Sequence, residues 1–243
     1  MALRGGGQRK QKRISVSKTR HLHRKEFTWT IKNHPGPHND QQSVPLGFIL
    51  RDLLKIGSTL REVKKLLNDS KVSVDGKIRK DYKFPVGLFD LVSIKEEGNK
   101  VDSFIALLDH KGRIIMKPGE AKHATKIVKI VRKRIARKGF TQLTTNDGRT
   151  FMEKNSKHKV GDSLHIELPS QKIMKSFEFK NGNTALIVGG KNVGKIAVIK
   201  EISNSTMQRT KTITLETKGK QFKTTHNNVF VIGEKTPAIE VMQ

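Results

Sequence analysis

The stretch from Ser43 to Ile94 constrains the fold of this chain more than any other, because two helix signals and a hairpin signal follow one another within it. Ser43 stands where a cap would, and Pro45 falls in an opening turn whose N–H groups lack helical partners anyway. Leu46, Ile49, Leu50, Leu53, Leu54 and Ile56 form one stripe at helical spacing, and Gly57 suits the stop. Arg51 and Lys55, four apart, share one flank of that stripe. Thr59-x-x-Glu62 is a capping box that opens a second helix. At about 100° per residue, Leu60, Val63, Leu66 and Leu67 span roughly 120° of it. Arg61, Lys64 and Lys65 fill the adjoining arc with no acid among them. Val72 and Val74 then alternate with polar neighbours into Asp75-Gly76, a two-residue hairpin signal. The hairpin end carries Lys77, Arg79 and Lys80.

This pattern resembles the S4 RNA-binding domain. The likeness rests on D-L-L-K-I-G-S-T-L-R-E-V-K-K-L-L, on V-S-V-D-G-K-I-R-K-D-Y and on the final G-L-F-D-L-V-S-I. The resemblance implies paired helices and a hairpin that clasp structured RNA. Several enzymes and ribosomal proteins share that domain, so by itself it names no function.

Charge narrows the partner. The 243 residues hold 49 Lys and Arg against 22 Asp and Glu, a net +27. Such an excess repels itself in the compact state, and a polyanion relieves it. No apolar run approaches the ~20 residues that a membrane-spanning helix needs. Aromatic residues are only 5%, which argues against a stacking platform for single strands and for phosphate and shape recognition of folded RNA. Cysteine is absent, which removes disulfides, thiolate metal sites and thiol nucleophiles and is compatible with a reducing cytosol. The N-terminus lacks the apolar core of a secretory signal.

Residues 1–42 read as a basic N-terminal extension. Nine basic residues and no acid lie between Arg4 and Lys25, too polar a composition to fold alone. We expect this arm to order in an RNA groove, with Arg9, Lys10, Lys12 and Arg13 as candidate contacts. Trp29, the only tryptophan, lies in the strand-like F-T-W-T-I and is expected to anchor the arm by packing. His34-Pro-Gly-Pro-His38 looks like a metal-ligand pair, but its prolines and glycine forbid the helix that would align the rings, and no other ligand cluster is near. Residues 43–100 form the first folded unit, closed by the polar K-E-E-G-N-K. Residues 101–175 carry turn signals at Asp109 to Gly112, Lys117-Pro-Gly119, Asn146-Asp-Gly148 and Val160-Gly-Asp162, and read as a small β-rich unit. Lys122 to Lys138 contains eight Lys and Arg and no acid; its β-branched content favours strands, although its period also fits a helix. Residues 176–243 hold five short strands, A-L-I-V, K-I-A-V-I-K-E-I, T-K-T-I-T-L-E, K-Q-F-K-T-T and V-F-V-I, a rhythm that suggests a small SH3-like barrel.

Gly189-Gly-Lys-Asn-Val-Gly194-Lys195-Ile196 nearly matches a nucleotide-binding P-loop. The match fails at Ile196, which has no hydroxyl for magnesium, and at the following segment, which is β-branched where a P-loop opens a helix. The same residues match a KOW motif, a loop between strands that touches RNA, with Lys191, Gly194 and Lys195 as candidate contacts.

An S4-type unit followed by a KOW loop resembles the small-subunit ribosomal protein family S4e, of archaeal and eukaryotic type. Further residues carry the likeness: Gly36-Pro-His38, Thr145 to Thr150, the V-I-K-E-I after the loop, and Asn228 to Gly233. The chain ends soon after Pro237, without the longer basic tail of eukaryotic members, which points to the archaeal type. The resemblance implies an α+β, multidomain protein: a basic arm, an S4-type helix-pair and hairpin domain, a central β-rich domain and a C-terminal KOW barrel. It implies a structural role in the cytoplasmic small subunit, bound to ribosomal RNA beside other ribosomal proteins, as a single copy without cofactor, nucleotide or metal. Two other classes use the same parts. RNA-modifying or tRNA-handling enzymes need a larger catalytic domain, and no H-I-G-H, K-M-S-K-S or triad arrangement occurs here. Transcription elongation factors couple a KOW barrel to a different N-terminal domain.

Overall fold

The computed structural model describes residues 10–95, 101–119, 125–154, 156–203, 210–217, 219–234 and 236, mostly as short antiparallel strands with few helices. The arm begins with β1 (Gln11–Lys12), which pairs with β2 (Trp29–Thr30). Two buried arginines hold the intervening chain. Arg13 donates to the His23 carbonyl at 3.0 Å and to Glu26 at 3.1 Å, and Arg20 to the Ile31 carbonyl at 2.8 Å and to Asp40 at 2.7 Å. The Ile114 N–H also donates to the Thr19 carbonyl at 2.9 Å. Arg13 and Arg20 thus have partners within the protein, where composition pointed to phosphate, whereas Lys10 and Lys12 are exposed. Trp29 does not anchor the arm by burial: it is 52% exposed, with the Lys10 ammonium 5.8 Å from its ring centroid.

Next come β3 (Val44–Pro45) and α1 (Leu46–Phe48), which widens into a π-helical turn over Ile49–Leu53. Ser43 is not a cap. Pairing of β3 keeps its backbone extended, and its buried hydroxyl accepts from Asn33 at 2.8 Å and donates to the Asn39 carbonyl at 2.7 Å. The widened turn carries the Leu54 N–H to the Ile49 carbonyl at 2.9 Å, and Lys55, at φ +56°, ends the helix. Leu46 to Leu54 keep the expected inward stripe, but Ile56 lies beyond the stop and is exposed. Gly57 serves packing instead of the stop, since a Cβ there would meet Val63 at 3.0 Å. In α2 (Leu60–Asn68) the Thr59 hydroxyl accepts from the Glu62 N–H at 3.3 Å, and Val63 and Leu67 are fully buried.

β4 (Val72–Val74) and β5 (Lys77–Ile78) flank a turn in which Asp75 and Gly76 both have positive φ, the hairpin conformation that Asp-Gly adopts readily. β6 (Pro85–Val86) pairs back onto β3. β7 (Leu91–Lys95), β8 (Val101–Leu108) and β9 (Ile114–Gly119) extend the hairpin into a sheet of order β5-β4-β7-β8-β9. Residues 101–119, grouped by sequence with the central unit, therefore share a sheet with the first.

The second sheet, order β12-β11-β10-β13-β14, contains β10 (Thr125–Ile135), β11 (Phe140–Thr145), β12 (Thr150–Lys154), β13 (Ser163–Glu167) and β14 (Ile173–Phe177). The cationic run around Lys126 to Arg134 is thus strand, as its β-branched content favours. The third sheet, order β18-β17-β16-β15-β19, consists of β15 (Thr184–Ile187), β16 (Ile196–Ile202), β17 (Thr212–Thr217), β18 (Lys220–Thr225) and β19 (Val229–Gly233), one for each expected strand. One hydrophobic core joins α1, α2 and the first sheet to the third, with Phe89 and Phe230 edge to face at 5.3 Å. A second core, around Val128, Ile130, Leu143 and Leu164, lies in the central sheet.

Candidate nucleic-acid interface

The arc predicted on α2 is present. Arg61, Lys64 and Lys65 are exposed beside the buried Val63 and Leu67. The structure adds an aromatic residue to it. The Lys64 ammonium lies 4.7 Å and the Lys83 ammonium 5.5 Å from the Tyr82 ring centroid, so two cations from different segments flank one ring. Tyr82 is held there because its carbonyl accepts the Gly47 N–H at 2.7 Å, at the start of α1. Sequence periodicity missed Tyr82 and Lys83 because they lie in an irregular loop. The flank of α1 contributes less: Arg51 pairs with the adjacent Asp52 at 2.8 Å, and Lys55 stands beyond the helix.

The hairpin cations face elsewhere. Lys77 and Arg79 line a cleft of about 180 Å³ whose floor holds Asp75, Asp90, Lys126 and Asp147. Arg79 stacks its guanidinium 4.3 Å from the Phe84 ring centroid, and Lys80 is exposed. The floor is a closed charge cluster. Lys126 of β10, 1% exposed, contacts Asp75 at 2.8 Å, Asp90 at 2.5 Å and Asp147 at 3.1 Å. Arg149 contacts Asp75 at 2.6 Å and Asp147 at 2.9 Å, and His38 contacts Asp90 at 3.0 Å. Burial pushes the Asp90 carboxyl up, but Lys126 and His38 together hold it below the usual carboxylate range. Asp147 is likewise lowered, burial being outweighed by Lys126, the Thr145 hydroxyl and Arg149. Asp75 goes the other way, because burial and the Asp90 charge exceed the pull of Lys126. Three acids raise Lys126 above its ordinary value despite burial. The cluster ties the arm and first sheet to the central sheet. Here Asp75 does more than turn the chain, and Lys126 is no surface cation.

A second internal cation is Lys129, which donates to the carbonyls of Val229 at 2.7 Å and His226 at 3.0 Å. Burial without an acid lowers its pKa to about 8. Burial, then Lys129 and Lys211, lower that of His226 to about 4. His34 and His38 pair with different aspartates, Asp81 at 2.7 Å and Asp90, so the two rings do not converge. No group of three or more potential metal ligands occurs among the described residues.

In the arm, Arg9 lies outside the described residues. Lys10 and Lys12 are exposed, whereas Arg13 is directed into the arm, with its guanidinium 5.1 Å from the Phe27 ring centroid. In the glycine-rich loop, Lys191 and Lys195 are exposed, and Lys195 donates to Asn192 at 3.0 Å. Gly194, at φ +80°, gives its close approach to the chain itself, since a Cβ there would lie 2.5 Å from the Asp109 carbonyl oxygen. The loop is thereby docked on the β8–β9 turn, which adds the exposed Lys111 to this patch. Ile196 then enters β16, a strand, so the loop does not open a helix. No described helix is long and apolar enough to cross a membrane.

The model of the ribosomal family S4e matches residues 100–173, and that of the S4 domain matches residues 52–92. The chain is 39% identical over 222 residues to the small ribosomal subunit protein eS4 of Methanothermobacter thermautotrophicus, covering 90% of each chain. It is 39% identical over 238 residues to the protein of the same name from Methanosphaera stadtmanae, covering 98% of this chain and 97% of that one. The crystal structure of the 30S ribosomal protein S4e from Thermoplasma acidophilum is similar with a TM-score of 0.67 and 31% identity, over 79% of this chain and 96% of that chain.

Proposed function

We propose, on the premise that the chain belongs to the S4e family of ribosomal proteins, that it is a structural constituent of the small ribosomal subunit that binds the subunit's RNA. It supports the folding of that RNA and translation, in the cytoplasm, as a single copy among neighbouring ribosomal proteins. The carrying observation is the α2 arc, where Arg61, Lys64 and Lys65 stand exposed and acid-free beside Tyr82 and Lys83. Cations fixed on a packed helix can match phosphates at defined positions, and the ring beside them can offer its edge or hydroxyl to a ribose. Lys77, Arg79 and Lys80, the arm lysines Lys10 and Lys12, and the docked loop with Lys191 and Lys195 add phosphate contacts.

The reading includes no catalytic step, cofactor or bound nucleotide, and assigns the glycine-rich loop to a KOW unit. It keeps the division into an arm, an S4-type domain, a central β-rich domain and a C-terminal barrel, with residues 101–119 joined to the S4-type part by their sheet. Two measurements test it. The protein should co-sediment with small ribosomal subunits in a sucrose gradient. Reversal of Arg61, Lys64 and Lys65 to Glu should erode preference for small-subunit RNA over scrambled RNA while circular dichroism stays unchanged. Equal loss of affinity for both RNAs would overturn the assignment of specificity to α2.

A further inference from the structure

Strand β10 changes character at one residue. Thr125–Lys129 pair with β13 and are mostly buried, whereas Ile130–Ile135 pair with β11 and are exposed beyond Ile130. The register shifts between Ile130 and Arg132, which leaves Val131 as an extra residue. Such a bulge bends a strand and re-aims its side chains. Beyond it, β10, β11 and β12 continue as a three-stranded ribbon.

The register fixes which residues share a face of this ribbon. Arg132 lies opposite Thr144, which lies opposite Thr150; Arg134 lies opposite Gln142, which lies opposite Met152; and Phe140 lies opposite Lys154. Residues directly opposite one another project to the same side, and those two apart along a strand do too. These residues are exposed or half-buried, while their alternates Leu143 and Phe151 are buried in the central core. No acid projects from the outer face: Glu153 lies opposite Thr141 on the other side, and Asp147 is buried in the charge cluster. At the ribbon's end the turn Arg137–Gly139 adds two exposed cations, Arg137 and Lys138. None of Arg132, Arg134, Arg137, Lys138 and Lys154 pairs with a described acid. By contrast, Lys133, on the opposite face, is satisfied by the carbonyls of Ser156 and His158, both at 2.8 Å.

The geometry points to this face as a second RNA-binding surface, separate from α2, that takes the phosphate backbone of a folded RNA helix. Its cations are spaced about 7 Å apart along the strand and lie beside hydroxyl and amide groups (Thr144, Thr150, Gln142) suited to phosphate and 2′-hydroxyl oxygens. An acid-free sheet face whose cations stand among hydroxyl and amide groups suits a sequence-independent backbone contact better than base readout. The inference rests on the RNA-binding role proposed above, and its test separates the two.

The experiment compares the full-length protein with the triple variant Arg132→Gln, Arg134→Gln and Lys154→Gln, measuring affinity for small-subunit RNA across a salt series. Each neutralised phosphate contributes about −0.7 to −0.9 to the slope of log affinity against log salt. If all three contacts are made, raising salt from about 50 to about 200 mM should reduce wild-type affinity about 20–40-fold more than it reduces that of the variant. The melting temperature should not change, because the three side chains are exposed. A wild-type slope in the variant, with wild-type binding intact, overturns this inference and leaves the α2 reading standing. A variant that binds RNA like wild type but is lost from assembled subunits would mark a protein-docking face, and also overturns it. Failure of the wild-type protein to bind RNA overturns both.

Discussion

Replacing Lys126 by Met keeps most of the side-chain volume and removes the charge at the centre of the buried cluster. The three carboxylates it contacts, Asp75, Asp90 and Asp147, keep only Arg149 and His38. Asp90 suffers most, because His38 is the one side chain left in contact with it among the cluster's members and its own side chain is 1% exposed. Removing one partner of a buried ion pair costs about 3–5 kcal/mol, since the other charge is left desolvated. For a chain of this size each kcal/mol shifts the melting temperature by about 2–4 °C, so the variant should melt about 6–20 °C lower. The deficit should depend on pH. Without Lys126, burial and neighbouring acids raise the Asp90 carboxyl, so the folded variant binds a proton that the unfolded chain lacks, and the deficit narrows as pH falls from 7 towards 5. In the wild type Asp90 and Asp147 are lowered, so their stabilisation is complete above about pH 4 and is lost only in more acidic solution. Asp90→Asn in the Lys126→Met background should recover part of the loss. Thermal melts by circular dichroism at pH 5 and pH 7.5 provide the check. A deficit below about 2 °C, or one indifferent to both pH and Asp90→Asn, would refute the assignment of Lys126 as the centre of a buried charge lock.

Other predictions follow from single contacts. Gly194→Ala should destabilise by about 2 kcal/mol or more in denaturant titration, because its Cβ meets the Asp109 carbonyl, whereas Gly148→Ala, at a similar φ in open space, should lose only about 1 kcal/mol. Thr59→Ala should lower stability by about 1 kcal/mol through loss of the α2 cap, with Thr59→Ser close to wild type. His226, lowered to about 4, stays neutral in the folded chain while the unfolded chain protonates, so stability should fall as pH drops from 6.5 towards 4; His226→Gln should flatten that limb. Lys129, lowered to about 8, should make stability rise between pH 8 and 10.5, and Lys129→Met should remove the rise.

What the sequence made legible is local. The Thr59 capping box, the inward and basic arcs of α2, the Asp75-Gly76 turn and the five C-terminal strands are each set by residues within a few positions of one another, which pattern reading can follow. Pattern reading failed where a side chain's partner is distant. Lys126, Lys129 and Arg132 look alike in a run of cations, yet the first is enclosed by acids, the second by carbonyls, and the third is exposed. Nothing local separates them, because the bulge at Val131 decides which of them leave the core. Ser43 has cap chemistry but not cap geometry, since the pairing of β3 with residues some forty positions later holds its backbone extended. The basic arc on α2 was readable, whereas Tyr82 reaches it through a backbone contact to Gly47 that no periodicity encodes.

The charge lock also sets a timetable for the growing chain. Lys126 meets Asp75 across 51 residues, Arg149 meets Asp75 across 74, and Lys129 reaches Val229 across 100. A chain made from its N-terminus exposes the hairpin and helix pair long before Lys126 and Arg149, which complete the neutralisation of Asp75 and Asp90, have been synthesised. Until then the first sheet carries two carboxylates destined for burial, and its apolar surface awaits Phe230, near the end of the chain. Contacts so distant in sequence form late and slowly. The cationic arm follows the opposite schedule: Arg13 finds Glu26 and Arg20 finds Asp40 within the first forty residues, so the arm can close on itself long before the lock that anchors it is complete.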